Sequence, residues 1–349
     1  MSGIADVARL AGVSKSTASR ALSGAGYVSE ATRVRVAEAA AELGYVPSTN
    51  AQSLSTGRTQ NVGVVMPYIN RWFFAEVLEG IQTALLDRGL DLTLYDAKPG
   101  SESRRRIFES FLARKRFDGL IAVGLEPEQR ELDLMLALDK PVVSVIGNEG
   151  RTSVVTLDDH HTALRATEHL IALGHHRIAF LGAGALTRWP HVETGRVLGY
   201  EQAMRDAGLS DQIRHVTSEL TQPAGYAAAV DLLSDVRTRP TGLVAACDEV
   251  AIGAIIAARR LGIQVPAALS VIGIDDHEFA EMFALTTLRQ VPREQGVTAV
   301  ELLMRQIEDP DAAPEAVKVT PRLIVRNTTG PVDSAASAVV ADGGIAPST

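Results

Sequence analysis

The chain has 349 residues, too many for one ordinary compact domain and enough for two or three. Hydrophobic residues make up 46% and charged residues 22%, a globular balance, and no apolar run reaches the roughly 20 residues a membrane helix needs. Net charge is −8, but the first 60 residues carry six Lys/Arg against four Asp/Glu, so a head of +2 precedes a body of −10.

Ile4, Val7, Ala8 and Ala11 fall on one face of a short helix, and Gly12 supplies a turn. Val13 can plug the corner. Ser14 reads as the N-cap of a second helix, Lys15 to Leu22, whose outward positions are small, hydroxylated or basic. Such side chains suit a helix laid against phosphates and base edges in a major groove. A third helix starts at Ser29, with Val34, Ala37, Ala41 and Leu43 as the expected inward stripe and Gly44 as its stop. Three short helices in this order make a helix-turn-helix head or a generic three-helix bundle. The guanidinium of Arg20 matches the two acceptors of guanine.

Residues 47–59 read as a polar linker with room for a turn of helix. From Asn61 the pattern becomes strand and helix in alternation. Strands are predicted at Val62–Met66, Leu92–Tyr95, Gly119–Val123, Pro141–Ile146, Ile178–Leu181, Leu243–Ala246 and Val271–Ile274, with helices at Phe74–Arg88, 103–114 and 129–138. Continuous apolar strands between helices signal parallel sheets covered on both faces, and their number suits two α/β lobes with a cleft between them. Ligands bind beyond the carboxyl ends of such strands. Trp72, Phe73, Phe74, Cys247, Asp248, Asp275 and Asp276 fall there, and Arg196 lies in a following helix. Carboxylates, a guanidinium and aromatic rings suit a polyhydroxylated ligand. Each has an ordinary alternative: Asp275 and Asp276 as turn caps, Phe73 and Phe74 as core, Arg196 as a surface charge.

Asp6-Val7-Ala8, Ala11-Gly12-Val13-Ser14, Thr17, Ser19-Arg20 and Leu22, followed by Gly26-Tyr27-Val28-Ser29 and Leu43-Gly44-Tyr45-Val46-Pro47, closely resemble the LacI/GalR family of bacterial regulators. Phe73-Phe74-Ala75-Glu76, Leu173-Gly174-His175, Arg196 with Gly199-Tyr200, Gly273-Ile274-Asp275-Asp276 and Thr286-Thr287-Leu288-Arg289-Gln290 extend the resemblance from about 3 to 328. It implies a small all-α helix-turn-helix domain (1–46), a hinge (47–59), a two-lobed periplasmic-binding-protein-like core of parallel sheets (60–329) and a disordered tail (330–349). By the same analogy Lys15, Ser16 and Arg20 reach base edges, Ser14, Thr17 and Ser19 touch phosphates, and Tyr45 belongs to the DNA-binding set. Leu54 stands where family members wedge a leucine into the minor groove, which costs unstacking energy and bends the duplex. Phe73, Arg196, Cys247, Asp275 and Gln290 are the implied effector-binding residues. Departures are Ser48, Asn50 and Gln52 in the hinge, Cys247 in place of a usual Asn, Trp72 in place of a usual Pro, and Gly147-Asn148 near a usual acidic residue.

The implied function is a repressor of carbohydrate-related genes: a homodimer that reads a palindromic double-stranded operator and is controlled by a small sugar-like effector. No cofactor, metal or membrane partner is expected. One cysteine and the lack of a charged-then-apolar leader point to the cytoplasm. His160-His161 and His175-His176 lack a partner set of metal ligands. Gly182-Ala183-Gly184 is half a dinucleotide motif, and no nucleophile elbow or phosphate loop occurs. A transport-type sugar receptor and a sugar-processing enzyme remain as rival readings.

Overall fold

A computed structural model describes residues 3–23, 26–45, 57–147, 150–182 and 191–332, with 191–193 described by backbone alone. Its first three helices are α1 (Ile4–Leu10), α2 (Lys15–Ser23) and α3 (Glu30–Glu42). They close over a small core of Val7, Ala8, Ala11, Ala18, Ala21, Val36, Ala39 and Ala40. Gly12 turns the chain from α1 to α2 at φ +64°, where a β-carbon would be strained. Ser14 caps α2, its Oγ accepting from the Thr17 N–H at 3.1 Å. Ser29 holds the cap position of α3, but its hydroxyl bonds the Thr32 hydroxyl at 2.9 Å instead of an amide.

The face that α3 buries differs from expectation. Val36, Ala39 and Ala40 are buried, while Val34 is 46% exposed and Ala37 and Ala41 face outward. Both sets have helical spacing, and an alanine-rich helix gives a weak phase signal. The shape left between α1 and α2 decides which set turns in.

Beyond the hinge, lobe 1 contains β1 (Asn61–Met66), α4 (Trp72–Leu86), β2 (Asp91–Asp96), α5 (Glu102–Arg106), β3 (Gly119–Val123), α6 (Gln129–Leu136), β4 (Val142–Val145) and β5 (Ser153–Leu157). Lobe 2 contains α7 (Asp159–Ala172), β6 (Ile178–Leu181), α8 (His191–Asp206), β7 (Arg214–Val216), α9 (Gln222–Ser234), β8 (Gly242–Ala245), α10 (Asp248–Arg260), β9 (Ser270–Asp275) and β10 (Thr286–Arg289). The chain then returns to lobe 1 for α11 (Pro292–Glu308) and β11 (Ala316–Val319), and to lobe 2 for β12 (Arg322–Ile324). It therefore crosses between lobes three times: after Leu157, after Gln290 and after Val319.

Each lobe is built on a six-stranded sheet, ordered β11-β5-β4-β3-β1-β2 in lobe 1 and β12-β10-β9-β8-β6-β7 in lobe 2. All pairings are parallel except β10 with β12. Strands β3, β6, β8 and β9 are buried along their whole length, which is why they read as unbroken apolar runs. Strands β5, β7, β10, β11 and β12 go beyond those predicted; all but β5 and β10 are edge strands, and their short or mixed patterns carry little periodicity. The helix expected over 103–114 is regular only to Arg106, and continues as a wider turn to Phe111 and a tighter one to Arg114.

Strand order reverses between β1 and β3 in lobe 1 and between β6 and β8 in lobe 2. Such switch points open crevices at the carboxyl ends of the strands. In lobe 1, α4 and α11 cross at Gly80 and Gly296. A β-carbon at Gly80 would overlap the Arg293 carbonyl, and one at Gly296 the Val77 carbonyl. Residues 330–332, expected in a tail, stay attached: His175 Nε2 bonds the Gly330 carbonyl at 3.1 Å, and the Val332 N–H donates to Leu173. The rest of that tail, from 333, lies outside the described residues, as do residue 46 of the head and hinge residues 47–56 with Leu54.

Candidate DNA-binding and effector sites

The first site is the outer face of α2. Ala18 and Ala21 turn inward, so Lys15, Ser16, Ser19 and Arg20 are exposed and Thr17 is half-buried. Ser14 Oγ also bonds the hydroxyls of Ser16 (2.9 Å) and Thr17 (2.8 Å), which ties three candidate phosphate and base ligands into one cluster. Arg20 Nε donates to the Ser16 carbonyl at 3.3 Å, leaving most of its guanidinium fork outward. Tyr45 differs from the rest: it is half-buried against the head core, and its N–H donates to Ala40 at 2.8 Å.

The second site lies where the lobes face each other. Arg196 on α8 is buried; its Nε donates to Asp159 Oδ1 at 2.8 Å and its Nη1 to the Ala246 carbonyl. Asp159 is the first residue of α7, directly after the first crossover. Burial opposes the charge of Arg196, but Asp159 and Asp275 outweigh it and hold the guanidinium above its usual pKa. Burial also raises the Asp159 carboxyl, with Arg196 pulling the other way.

Asp275 ends β9 at φ +132°, a strained conformation for a side chain with a β-carbon. Its Oδ1 accepts from Gln290 Nε2 at 2.6 Å, and Gln290 Oε1 accepts from Gln295 Nε2 at 2.8 Å. The chain thus runs from β9 through the second crossover into α11. Gln295 Oε1 is buried with no hydrogen-bond partner among the described residues. Burial pushes the Asp275 carboxyl up, against the pull of Arg196 and the Gln290 amide.

Cys247 lies beside this cluster, near enough for the charges of Asp275 and Arg196 to act on its thiol, while the other candidates separate. Cys247 precedes α10, is 6% exposed and packs into the lobe 2 core, and burial pushes its thiol pKa well up. Phe73 rests half-buried on the lobe 1 core, edge-on to Phe74 at 5.6 Å between ring centroids. Asp276 turns away to Arg326, 2.7 Å from its guanidinium. Trp72 reaches across the lobes: its ring lies 4.9 Å from that of His277.

Two residues stand outside the set that the sequence nominates: Asp159 pairs with Arg196, and Gln295 extends the Gln290 chain. Asp248, placed by the sequence at a strand end, is a buried brace. The Asp248 carboxylate accepts from the Thr287 hydroxyl at 2.7 Å and the His277 N–H at 2.9 Å, tying α10 to the turn after β9 and to β10. A helix-starting acidic pair, Asp158-Asp159, is the available signal for the first. Among the described residues no group of three or more His, Cys, Asp or Glu is placed to hold a metal, and no helix is long and apolar enough to cross a membrane.

Residues 3–48 match the family described as bacterial regulatory proteins, lacI family, and residues 167–329 a periplasmic binding protein-like domain. Over 333 residues the chain is 32% identical to the HTH-type transcriptional repressor PurR of Vibrio atlanticus (strain LGP32), covering 94% of this chain and 98% of that one. The chain belongs to the LacI family. Another family member, the HTH-type transcriptional regulator DegA of Bacillus subtilis (strain 168), is 32% identical and 99% covered, with 95% of this chain matched. A solved lac repressor dimer, bound to operator and the anti-inducer ONPF, superposes with TM-score 0.82 at 26% identity, covering 94% of this chain and 99% of that one. The transcriptional regulator CelR in complex with cellobiose superposes at 0.69, with 28% identity over 94% of this chain and all of that one. As a LacI-family member the protein is a DNA-binding transcription regulator and not an enzyme, with a helix-turn-helix head on a two-lobed core.

Proposed function

We propose that this LacI-family regulator is a cytoplasmic repressor of carbohydrate-related genes, released from or held on its operator by a small sugar-like molecule bound between the lobes. The observation that carries the effector reading is the placement of the two buried polar pairs. Arg196–Asp159 and Asp275–Gln290 both bind a strand-end or helix side chain of lobe 2 to a crossover between lobes. A ligand that exchanges its hydroxyls for these partners acts directly on the segments about which the lobes rotate. Guanidinium and carboxylate both serve hydroxyl groups, and Phe73 and Trp72 offer apolar ring faces at the lobe 1 side. The solved relatives bound to cellobiose and ONPF support the same ligand class.

On the DNA side, Lys15, Ser16 and Arg20 read base edges while Ser14, Thr17 and Ser19 position the helix on phosphates. One head makes too few base contacts for a long operator, so a C2 dimer reads a palindrome. Phe279 and Met282 are large exposed apolar side chains on the core and suit the contact between protomers. Lobe rotation then changes the separation of the two heads, and effector and operator affinity are coupled reciprocally.

Fluorescence anisotropy on palindromic duplexes from the gene's own neighbourhood, at fixed salt and with a sugar panel, tests this reading. Tight binding that one sugar alters supports it. Binding no tighter than to random duplex under every ligand overturns it.

A further inference from the structure

Lobe 1 carries a second basic surface, placed where the hinge enters the core. The N–H groups of Thr59 and Gln60 donate to the two carboxylate oxygens of Asp118, at 2.7 and 2.8 Å. Asn61 Nδ2 donates to the Arg116 carbonyl at 2.6 Å, and the Asp118 N–H donates to the Asn61 carbonyl at 2.8 Å. The 114–118 loop is therefore fastened to the first residues after the hinge. That loop presents Arg114, Lys115 and Arg116 in succession, all exposed. Lys115 holds the loop's turn at φ +47°, a conformation that a β-carbon disfavours.

Among the described residues these cations have no acidic partner. The ion pairs of lobe 1 include those of Arg104, Arg130, Arg151, Arg293 and Arg305. The basic surface also extends away from the hinge. Arg106 and Arg114 both lie over the Phe111 ring, 5.9 and 4.5 Å from its centroid. Burial raises the Tyr95 phenol while Arg116 and Arg114 beside it pull the other way. On the hinge side, a groove of about 810 Å³ runs beside Lys115 and Arg116, with Thr59, Asn61, Gln82 and Thr93 among its walls.

The charge is conspicuous because the body as a whole is acidic, −10 beyond residue 60 with these three cations included. It is concentrated at the point from which the chain leaves for the DNA. Residues 46–56, eleven in all, join the last described residue of the head to the first of the core. Eleven residues span about 40 Å at full extension and about 17 Å as a helix. A core tethered that closely to a duplex-bound head lies beside a dense line of phosphates, and exposed guanidinium and ammonium groups are the donors that phosphate oxygens accept.

We propose that Arg114, Lys115 and Arg116 form a second, sequence-independent DNA contact that grips backbone phosphates next to the hinge. This rests on the DNA-binding reading above and adds a contact outside the head. Phosphate contacts strengthen binding to all sequences alike and steepen its salt dependence. The competing occupant is a second copy of the chain packed on the same groove.

The test uses the full-length protein, the variant R114Q/K115Q/R116Q and the charge-keeping variant R114K/R116K. Each is titrated with a random-sequence duplex and with an operator duplex selected from a random pool, across a salt series. Removing one cation from its phosphate makes the slope of log K against log salt shallower by about 0.9. The triple variant is expected to bind both duplexes at least about tenfold more weakly, with a slope shallower by about two to three. The charge-keeping variant keeps the wild-type slope, and all three sediment alike. An unchanged slope in the triple variant overturns the proposal, as does a weakening accompanied by dissociation of the dimer in sedimentation. If the wild-type protein itself binds neither duplex, it is the DNA-binding reading that fails.

Discussion

Arg196 and Asp159 form an ion pair whose side chains are 6% and 11% exposed, with 2.8 Å between Nε and Oδ1. The pair joins α8 to the first residue after a crossover, so it holds both the candidate effector site and the path between lobes. Removing one partner leaves a charge buried without compensation.

Asp159→Ala is therefore expected to destabilise the protein by about 3 kcal/mol and to abolish effector response, while Asp159→Asn, which still accepts from Arg196, costs less. Urea unfolding and operator titration with the identified effector check this. Equal stability of Asp159→Ala and wild type would show that the pair does not brace the fold.

The head predicts a separable effect. Arg20→Ala should cost about 1–3 kcal/mol in operator affinity and relax preference at one base pair, because it removes a bidentate pairing with guanine. Random-duplex affinity should fall far less. Anisotropy with single-position operator variants measures it; a uniform weakening over all sequences would place Arg20 on a phosphate.

Gly296→Ala probes the crossing of α4 and α11. The added methyl meets the Val77 carbonyl, which a flexible side chain cannot relieve, so the helices must separate. A destabilisation of about 1–3 kcal/mol is expected from this overpacking. Thermal unfolding decides, and a stabilised variant would contradict the close approach.

Asp248 predicts a pH dependence. Burial and neighbouring Asp275 push its carboxyl pKa up, while the unfolded chain titrates near the usual value of about 4. A raised acid pKa means that the folded state binds the proton more tightly. Asp248 then costs nothing below the unfolded pKa and progressively destabilises the fold as pH rises from there toward neutrality. Asp248→Asn removes that titration, so its stability relative to wild type should improve from about pH 5 to about pH 8. Urea unfolding at both pH values measures the difference; a relative stability that falls with pH would contradict the assignment.

The local features of this protein are legible in its sequence. Gly12, Ser14 and the apolar face of α1 specify their own turn, cap and packing, because each acts within a few residues. The unbroken apolar runs of β1, β3, β6, β8 and β9 likewise announce buried parallel strands, and the motifs carry the family. Tertiary structure alone decides what depends on distant partners. The phase of α3 is set by the hollow between two other helices. Asp159 becomes the partner of Arg196, 37 positions away, and Gln290 that of Asp275. Cys247 is buried in the lobe 2 core within reach of the Asp275 and Arg196 charges, and Asp276 turns to Arg326 while Asp275 stays at the cleft. The reason is physical. Caps, turns and periodicity are short-range constraints, but a buried charge takes whichever partner folding brings within about 3 Å, and sequence spacing does not record that choice.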